Sequence, residues 1–204
     1  MSQYICVDIG GTSIKHGVLD ENAIIKECNQ TKTEAWLGGA AVLDKVKTIG
    51  KQYKEQYENI EGICISTAGM VDPEEGKIVF AGELMPDYTG TCIKKELEKA
   101  LEMPCEVEND VNCAGLAEYV SGSAKESHIM FCATVGTGIG GCAIVNGRVF
   151  HGASNSACEV GYIPMGDSDF QTLGASSILV RKVAEKKIEP LDMWDGKKIF
   201  ALAE

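Results

Sequence analysis

Tyr4-Ile5-Cys6-Val7-Asp8-Ile9-Gly10-Gly11-Thr12 is an apolar, β-rich run closed by paired glycines, and Ile129-Met130-Phe131-Cys132-Ala133-Thr134-Val135-Gly136-Thr137-Gly138-Ile139-Gly140-Gly141 repeats its form. Such runs read as buried strands, and the glycines as tight turns. After the first turn come residues 13–19, the turn Asp20-Glu21-Asn22 and residues 23–26, a meander of three short strands. After the second come residues 142–145, the hairpin signal Asn146-Gly147 and residues 148–150. The repetition predicts two related halves, placed at residues 1–120 and 121–204.

Between the two strand-turn runs the pattern changes period. Leu37, Ala41, Val46, Ile49, Tyr53 and Tyr57 fall at helical spacing with Lys and Glu between them, which predicts an amphipathic helix over 37–57. Residues 60–65 predict a strand running into Ser66-Thr67-Ala68-Gly69, followed by a loop holding Asp72-Pro73-Glu74-Glu75-Gly76. Ile93, Leu97, Ala100 and Leu101 share a face of a second helix over 93–101, which Met103-Pro104 ends. A brief strand at 105–107 leads into Glu108-Asn109-Asp110, and 111–120 reads as helix. Strands alternating with helices give the α/β class. The second half is short and stops in residues 197–204, whose spacing is that of an unfinished helix, so it is expected to be incomplete.

Composition narrows the partners. The 204 residues carry 19 Lys and Arg against 30 Asp and Glu, a net charge of −11. An acidic chain without a basic cluster is a poor match for nucleic acid or an anionic membrane, because both need a positive field. No stretch resembles a membrane span or a leader, and residues 4–9 run straight into a strand, which points to the cytoplasm. Nine cysteines, several in apolar strands and none in a C-x-x-C pair, read as small hydrophobes rather than a disulfide framework or close-paired zinc ligands.

Several residues can carry chemistry. Glycine turns after buried strands let backbone N–H groups approach a phosphate, and Asp8 and Thr12 add a carboxylate and a hydroxyl that suit Mg²⁺ held through water and a nucleotide's phosphates. Gly136, Gly138 and Gly141 fit G-x-G-x-x-G, but a dinucleotide fingerprint must open a helix, and this one opens a strand. Asp110 is either a helix cap or a base that accepts a proton from an attacking alcohol, with Asn109 orienting that alcohol. Glu159 follows a Gly/Ser/Asn-rich loop, where a carboxylate is either solvated or set to bind neighbouring sugar hydroxyls. His16 and His128 read as structural or surface residues, His151 flanks the loop before Glu159, and Trp36 and Trp194 read as packing residues at helix edges.

Residues 7–15, Glu108-Asn109-Asp110-Val111-Asn112, residues 135–141 with Asn146-Gly147, and Cys158-Glu159-Val160-Gly161 together resemble the ROK family of sugar kinases, in order and spacing through the whole chain. The resemblance implies a hexokinase/actin-like (ribonuclease H-like) duplicated fold and ATP-dependent phosphorylation of a hexose-type sugar. It implies Asp110 as general base, with Asn109, Glu159, Gln171 and Gly69 at the sugar. Asp8, Gly10, Gly11, Thr12 and Lys15 would form one phosphate and Mg²⁺ loop, with Asp8 holding the metal through water, and Gly136, Thr137 and Gly138 would form the other. Homodimers occur among the relatives. Gln171 stands where the family often has a glutamate, and Ser66-Thr67-Ala68-Gly69 lacks a common proline. Tyr162 stands where many members have a zinc-binding histidine, and no cysteine follows Cys158, so no structural zinc is expected. The alternative within the same resemblance is a non-catalytic sugar-binding or regulatory protein. Regulators of the family carry an amino-terminal helix-turn-helix, for which the early first strand leaves no room.

Overall fold

A computed structural model describes residues 1–203. The chain divides into two compact units, Met1–Cys113 and a second that begins at Ala114.

The first unit is built on a five-stranded sheet. β1 (Gln3–Ile9), β2 (Ser13–Asp20) and β3 (Ile25–Lys32) form the meander. α1 (Gly39–Gln56) returns the chain to β4 (Ile60–Thr67), and α2 (Ile93–Leu101) leads into β7 (Cys105–Asn109). A small hairpin of β5 (Met70–Asp72) and β6 (Lys77–Phe80) is inserted between β4 and α2. The strand order is β3-β2-β1-β4-β7, with β1, β4 and β7 parallel and the meander antiparallel.

Alternation along these strands divides the sheet into two chemically different faces. Ile5, Val7, Ile9, Ile14, Val18, Ile63, Ile65 and Val107 join Val42, Val46, Ile49 and Tyr53 of α1 and Ile93, Leu97 and Leu101 of α2 in one buried cluster. Each fully buried Leu or Ile of this set contributes about 1.5–3 kcal/mol relative to exposure. The helices approach closely because Gly50 has no Cβ, which would sit 2.6 Å from a Leu101 methyl. The other face carries Cys6, Asp8, Lys15, Cys64, Ser66, Glu106 and Glu108, placed by the same register.

Several boundaries move relative to the sequence reading. Leu37 lies in a short turn of 3-10 helix before α1 and is 55% exposed, and Tyr57 caps the helix rather than extending it. The acidic loop is the turn of the β5–β6 hairpin. Asp72 Oδ1 accepts from the backbone N–H groups of Glu74 and Glu75, and Gly76 takes a φ of 57°. Val71 and Ile78 are too few to signal strands by periodicity, yet both are buried.

In the second unit, β8 (Ile129–Val135), β9 (Ile139–Val145) and β10 (Arg148–Val149) repeat the antiparallel meander in the order β10-β9-β8. α3 (Asp110–Ser121) spans the division, and Gly115 lets it rest on Cys142 of β9. A hairpin of β11 (Pro164–Met165) and β12 (Ser168–Asp169) precedes α4 (Phe170–Gly174), α5 (Ser176–Lys187) and α6 (Gly196–Ala201). The glycine-rich turn is shorter than the sequence suggests. It ends at Gly138, and β9 already includes Gly140 and Gly141. Among the described residues no helix is long and apolar enough to cross a membrane.

Candidate active site

The first glycine turn joins β1 to β2. Gly10 N–H donates to the Ser13 carbonyl at 3.1 Å, and a Cβ on Gly10 would lie 3.0 Å from the same oxygen. Gly11 has open space where a Cβ would go, and Gly11 and Thr12 are exposed. The turn is pinned from behind by Thr33, a fully buried residue that the motif reading missed. Its hydroxyl donates to the Gly10 carbonyl at 2.6 Å, and its N–H donates to the Thr12 carbonyl at 3.1 Å. Thr33→Val keeps the shape but strands the Gly10 carbonyl, so a loss of about 1–3 kcal/mol is expected. It should appear as a lower urea midpoint at unchanged slope.

Asp8 closes β1 on the polar face. Its Oδ1 accepts from Ser66 Oγ at 2.8 Å, and Lys15 Nζ, one register step across on β2, is 3.5 Å from Oδ2. Lys15 is largely exposed, so this pairing holds Asp8 loosely. A single hard carboxylate on an accessible turn fits a magnesium ion that keeps most of its waters. Among the described residues no group of three or more His, Cys, Asp or Glu side chains has the arrangement of a direct metal cage.

Asp110 begins α3, and it is not the cap. The side-chain oxygen of Asn109 accepts from the N–H groups of Val111 and Asn112 at 2.9 and 3.1 Å, the N-cap pattern. The Asn109 amide nitrogen donates to the Gly69 carbonyl at 2.9 Å and to Asp110 Oδ1 at 3.0 Å. Gly69 is forced to be glycine: its φ is 100°, and a Cβ would lie 2.7 Å from the Phe80 carbonyl. Asn109, expected at the sugar, therefore spends both ends of its amide inside the protein, orienting Asp110. Asp110 is exposed to solvent at the start of the helix. Crowding by protein atoms raises its pKa above the usual carboxylate value, and the negative charge of Asp8 adds to this, against the opposing N–H donors of Val111 and Asn109.

Cys113, one turn further along α3, is pushed up to about 12 by burial and by Glu108. Glu108 itself accepts from Asn109 N–H and from Asn112 Nδ2, which ties the strand end to the first turn of α3.

The second unit holds the other glycine turn. Gly136 N–H donates to the Gly138 carbonyl at 2.8 Å, and Gly136 has open space where a Cβ would be. Gly138 and Gly141 do not. A Cβ on Gly138 would meet Gln171 Oε1 at 2.4 Å, and one on Gly141 would meet the Cys158 carbonyl at 2.7 Å. Two glycines of the G-x-G-x-x-G spacing thus make room for protein. Gln171, expected at the sugar, accepts from Ile139 N–H at 3.2 Å, so its oxygen braces the turn. The start of α5 supports the same turn. Ser177 Oγ donates to the Thr137 carbonyl at 2.6 Å, and Ser176 N–H donates to the Gly136 carbonyl at 2.9 Å.

Glu159 precedes a short 3-10 turn, Val160–Tyr162, and is half-buried. Beside Thr137 lies a cavity of about 340 Å³ lined by Ser176, Ser177, Val180, Leu191 and Trp194 among others. Trp194 Nε1 is buried without a hydrogen-bond partner, and Lys198 Nζ lies 4.3 Å from the indole centroid. Only the three-dimensional packing reveals this cavity, since its residues come from three separate segments. His16, by contrast, has both ring nitrogens engaged, with Tyr53 Oη at 2.9 Å and Thr31 Oγ1 at 3.0 Å, and burial lowers its pKa.

The chain has relatives among known proteins. The family model described as ROK family matches residues 4–175. A Clostridium perfringens protein, uncharacterized protein CPE0188, is 48% identical over 201 residues, covering 98% of this chain and 68% of its own length. The beta-glucoside kinase of Listeria monocytogenes is 31% identical over 202 residues, 95% of this chain and 67% of its own. The chain thus spans about two thirds of the length of these relatives. The crystal structure of a ROK family glucokinase from Streptomyces griseus, in complex with glucose and AMPPNP, superposes with a TM-score of 0.84 at 26% identity, covering 99% of this chain and 71% of that one. The fold is the hexokinase/actin-like one of these relatives, and the chain belongs to the ROK family.

Proposed function

We propose that this protein is an ATP-dependent kinase for a hexose-type sugar, with Asp110 as the general base. The observation that carries the reading is the Asp110 carboxyl, anchored by Asn109 and Val111 and raised in pKa by crowding and by Asp8. A base poised nearer neutrality than an ordinary aspartate takes a hydroxyl proton more effectively. Asn109 acts through Asp110 as a positioning residue, and reaches a sugar hydroxyl only by exchanging one of its present bonds. Gly69 presents its backbone beside them.

Asp8 would hold Mg²⁺ through water. When bound, that ion supplies charge neutralisation to the phosphoryl oxygens. The N–H groups of Gly11 and Thr12, with Lys15 behind, are assigned to one set of phosphate oxygens and those of Thr137 and Gly138 to another, while the N–H groups of Gly10 and Gly136 close the turns onto the Ser13 and Gly138 carbonyls. Thr137, Ser176 and Trp194 line the space assigned to the nucleoside. Glu159 is assigned to ring hydroxyls, and Gln171 contributes by bracing the turn, with its amide N–H groups left for a hydroxyl.

ATP with Mg²⁺ is expected to quench the fluorescence of Trp194 in a Trp36→Phe background, and labelled γ-phosphate is expected to appear on one member of a panel of hexoses, amino sugars and β-glucosides. Transfer to none of them overturns the reading. Gly11→Ala separates binding from folding. Its Cβ enters open space, so stability should change by no more than about 0.5 kcal/mol. Affinity for ATP should fall roughly tenfold or more, because a phosphate approaching that close to the backbone meets the added methyl. Equal affinity in calorimetry removes the turn as a phosphate site.

A further inference from the structure

Cys6 and Cys64 are register partners on the parallel strands β1 and β4. Both lie on the polar face, one pleat before Asp8 and Ser66, which are themselves hydrogen-bonded partners at 2.8 Å. Cα atoms of paired residues on neighbouring strands are about 4.8 Å apart, within the roughly 4.4–6.8 Å that disulfides span. Cys6 is half-buried and Cys64 exposed. On the opposite flank β7 places Glu106 beside Cys64. Cys105, at the preceding β7 position, points into the apolar core and is buried.

The other exposed thiol, Cys28, lies on the meander's outer strand, where its register partner is Gly17, so it has no cysteine across from it. Cys113 is the third thiol near the pair and acts on Cys6 electrostatically. It is half-buried on α3 and interacts with Ser66.

We propose that Cys6 and Cys64 form a peroxide-oxidisable dithiol, with Cys64 as the attacking sulfur and Cys6 as the resolving one. The sulfur of Cys64, as thiolate, attacks one peroxide oxygen. The O–O bond breaks, the departing oxygen takes a proton and leaves as water, and Cys64 becomes a sulfenic acid. Cys6 then attacks that sulfur. The S–O bond breaks, and hydroxide leaves as a second water with the proton given up by Cys6. Two thiols have lost two electrons and two protons to one hydrogen peroxide, and a thiol reductant reverses the change.

The experiment treats the reduced protein with hydrogen peroxide, alkylates remaining thiols in denaturant, and maps bridges in a non-reducing digest. Of the nine cysteines, two are expected to be lost together, with a mass decrease of about 2 Da and a bridge joining the β1 and β4 peptides. Dithiothreitol should restore both. Cys6→Ser should stop at a Cys64 sulfenic acid trapped by dimedone, and Cys64→Ser should keep Cys6 reduced. The proposal is overturned by retention of all thiols in the native protein, by a bridge mapped to Cys113 or any other cysteine, or by Cys64 passing to sulfinic acid unbridged. The digest of the native protein decides the matter even if a serine variant fails to fold.

Discussion

Asp110→Asn is expected to remove phosphoryl transfer and to stabilise the fold. The amide keeps an oxygen where Oδ1 accepts from Asn109 Nδ2 and Val111 N–H, both at 3.0 Å, so the start of α3 survives the change. What is lost is the group proposed to take the proton, and removing a general base lowers turnover by about 10²–10⁴-fold. The stability gain follows from the raised pKa of Asp110, whose causes are crowding first and Asp8 second. A carboxyl whose folded pKa exceeds its unfolded value of about 3.9 opposes folding whenever it is ionised in the native state. That opposition is fully present above the folded pKa and fades as pH falls through that value toward the unfolded one. The variant should therefore show the higher urea midpoint at neutral pH, and the difference should close near pH 4 and below, on the order of the unfolded value. Turnover equal to the parent's removes Asp110 as the base. A lower midpoint at neutral pH shows instead that the carboxylate's hydrogen bonds outweigh its confinement.

Much of this arrangement is legible in the sequence, for reasons that differ by residue. The 93–101 helix is recovered to the residue, because Ile93, Leu97 and Leu101 recur at the helical period and Met103-Pro104 ends it. The two meanders are legible because buried strands followed by glycine turns leave a local imprint. Three features leave none. Thr33 supports the first turn from beyond β3, and nothing near it in sequence marks a threonine whose partners are Gly10 and Thr12. Gln171 braces Ile139 across 32 positions. The capping role falls to Asn109 rather than Asp110, a one-residue distinction between two good capping residues that composition does not resolve. The glycine spacing at 136–141 was legible as a pattern but not as a cause. Its last two members are small because protein packs against them, and only Gly136 opens toward space that a ligand can use.

Gly161→Ala is expected to damage the sugar side of the second unit more than any exposed substitution. In the structure a Cβ on Gly161 would lie 2.3 Å from the carbonyl oxygen of Ile139 and 3.4 Å from the Gln171 side chain. The first contact is with backbone, which cannot rotate away, so the 3-10 turn Val160–Tyr162 must lift from β9. Overpacking of this kind costs about 1–3 kcal/mol. Glu159 is the residue that enters that turn, and Ile139 is where Gln171 braces the glycine turn proposed to bind phosphate. Lifting the segment therefore displaces the carboxylate assigned to the sugar and loosens the brace at once. The expected result is a lower urea midpoint together with a KM for sugar raised by roughly tenfold or more, since misplacement by about 1 Å is enough to lose that much. Gly166→Ala provides the contrast within the same unit: its φ of 66° makes the change strained, but no atom lies within 4 Å of the new Cβ. It should lower stability modestly and leave the KM unchanged. If both variants lose stability while neither alters the KM, Glu159 has no part in holding the sugar.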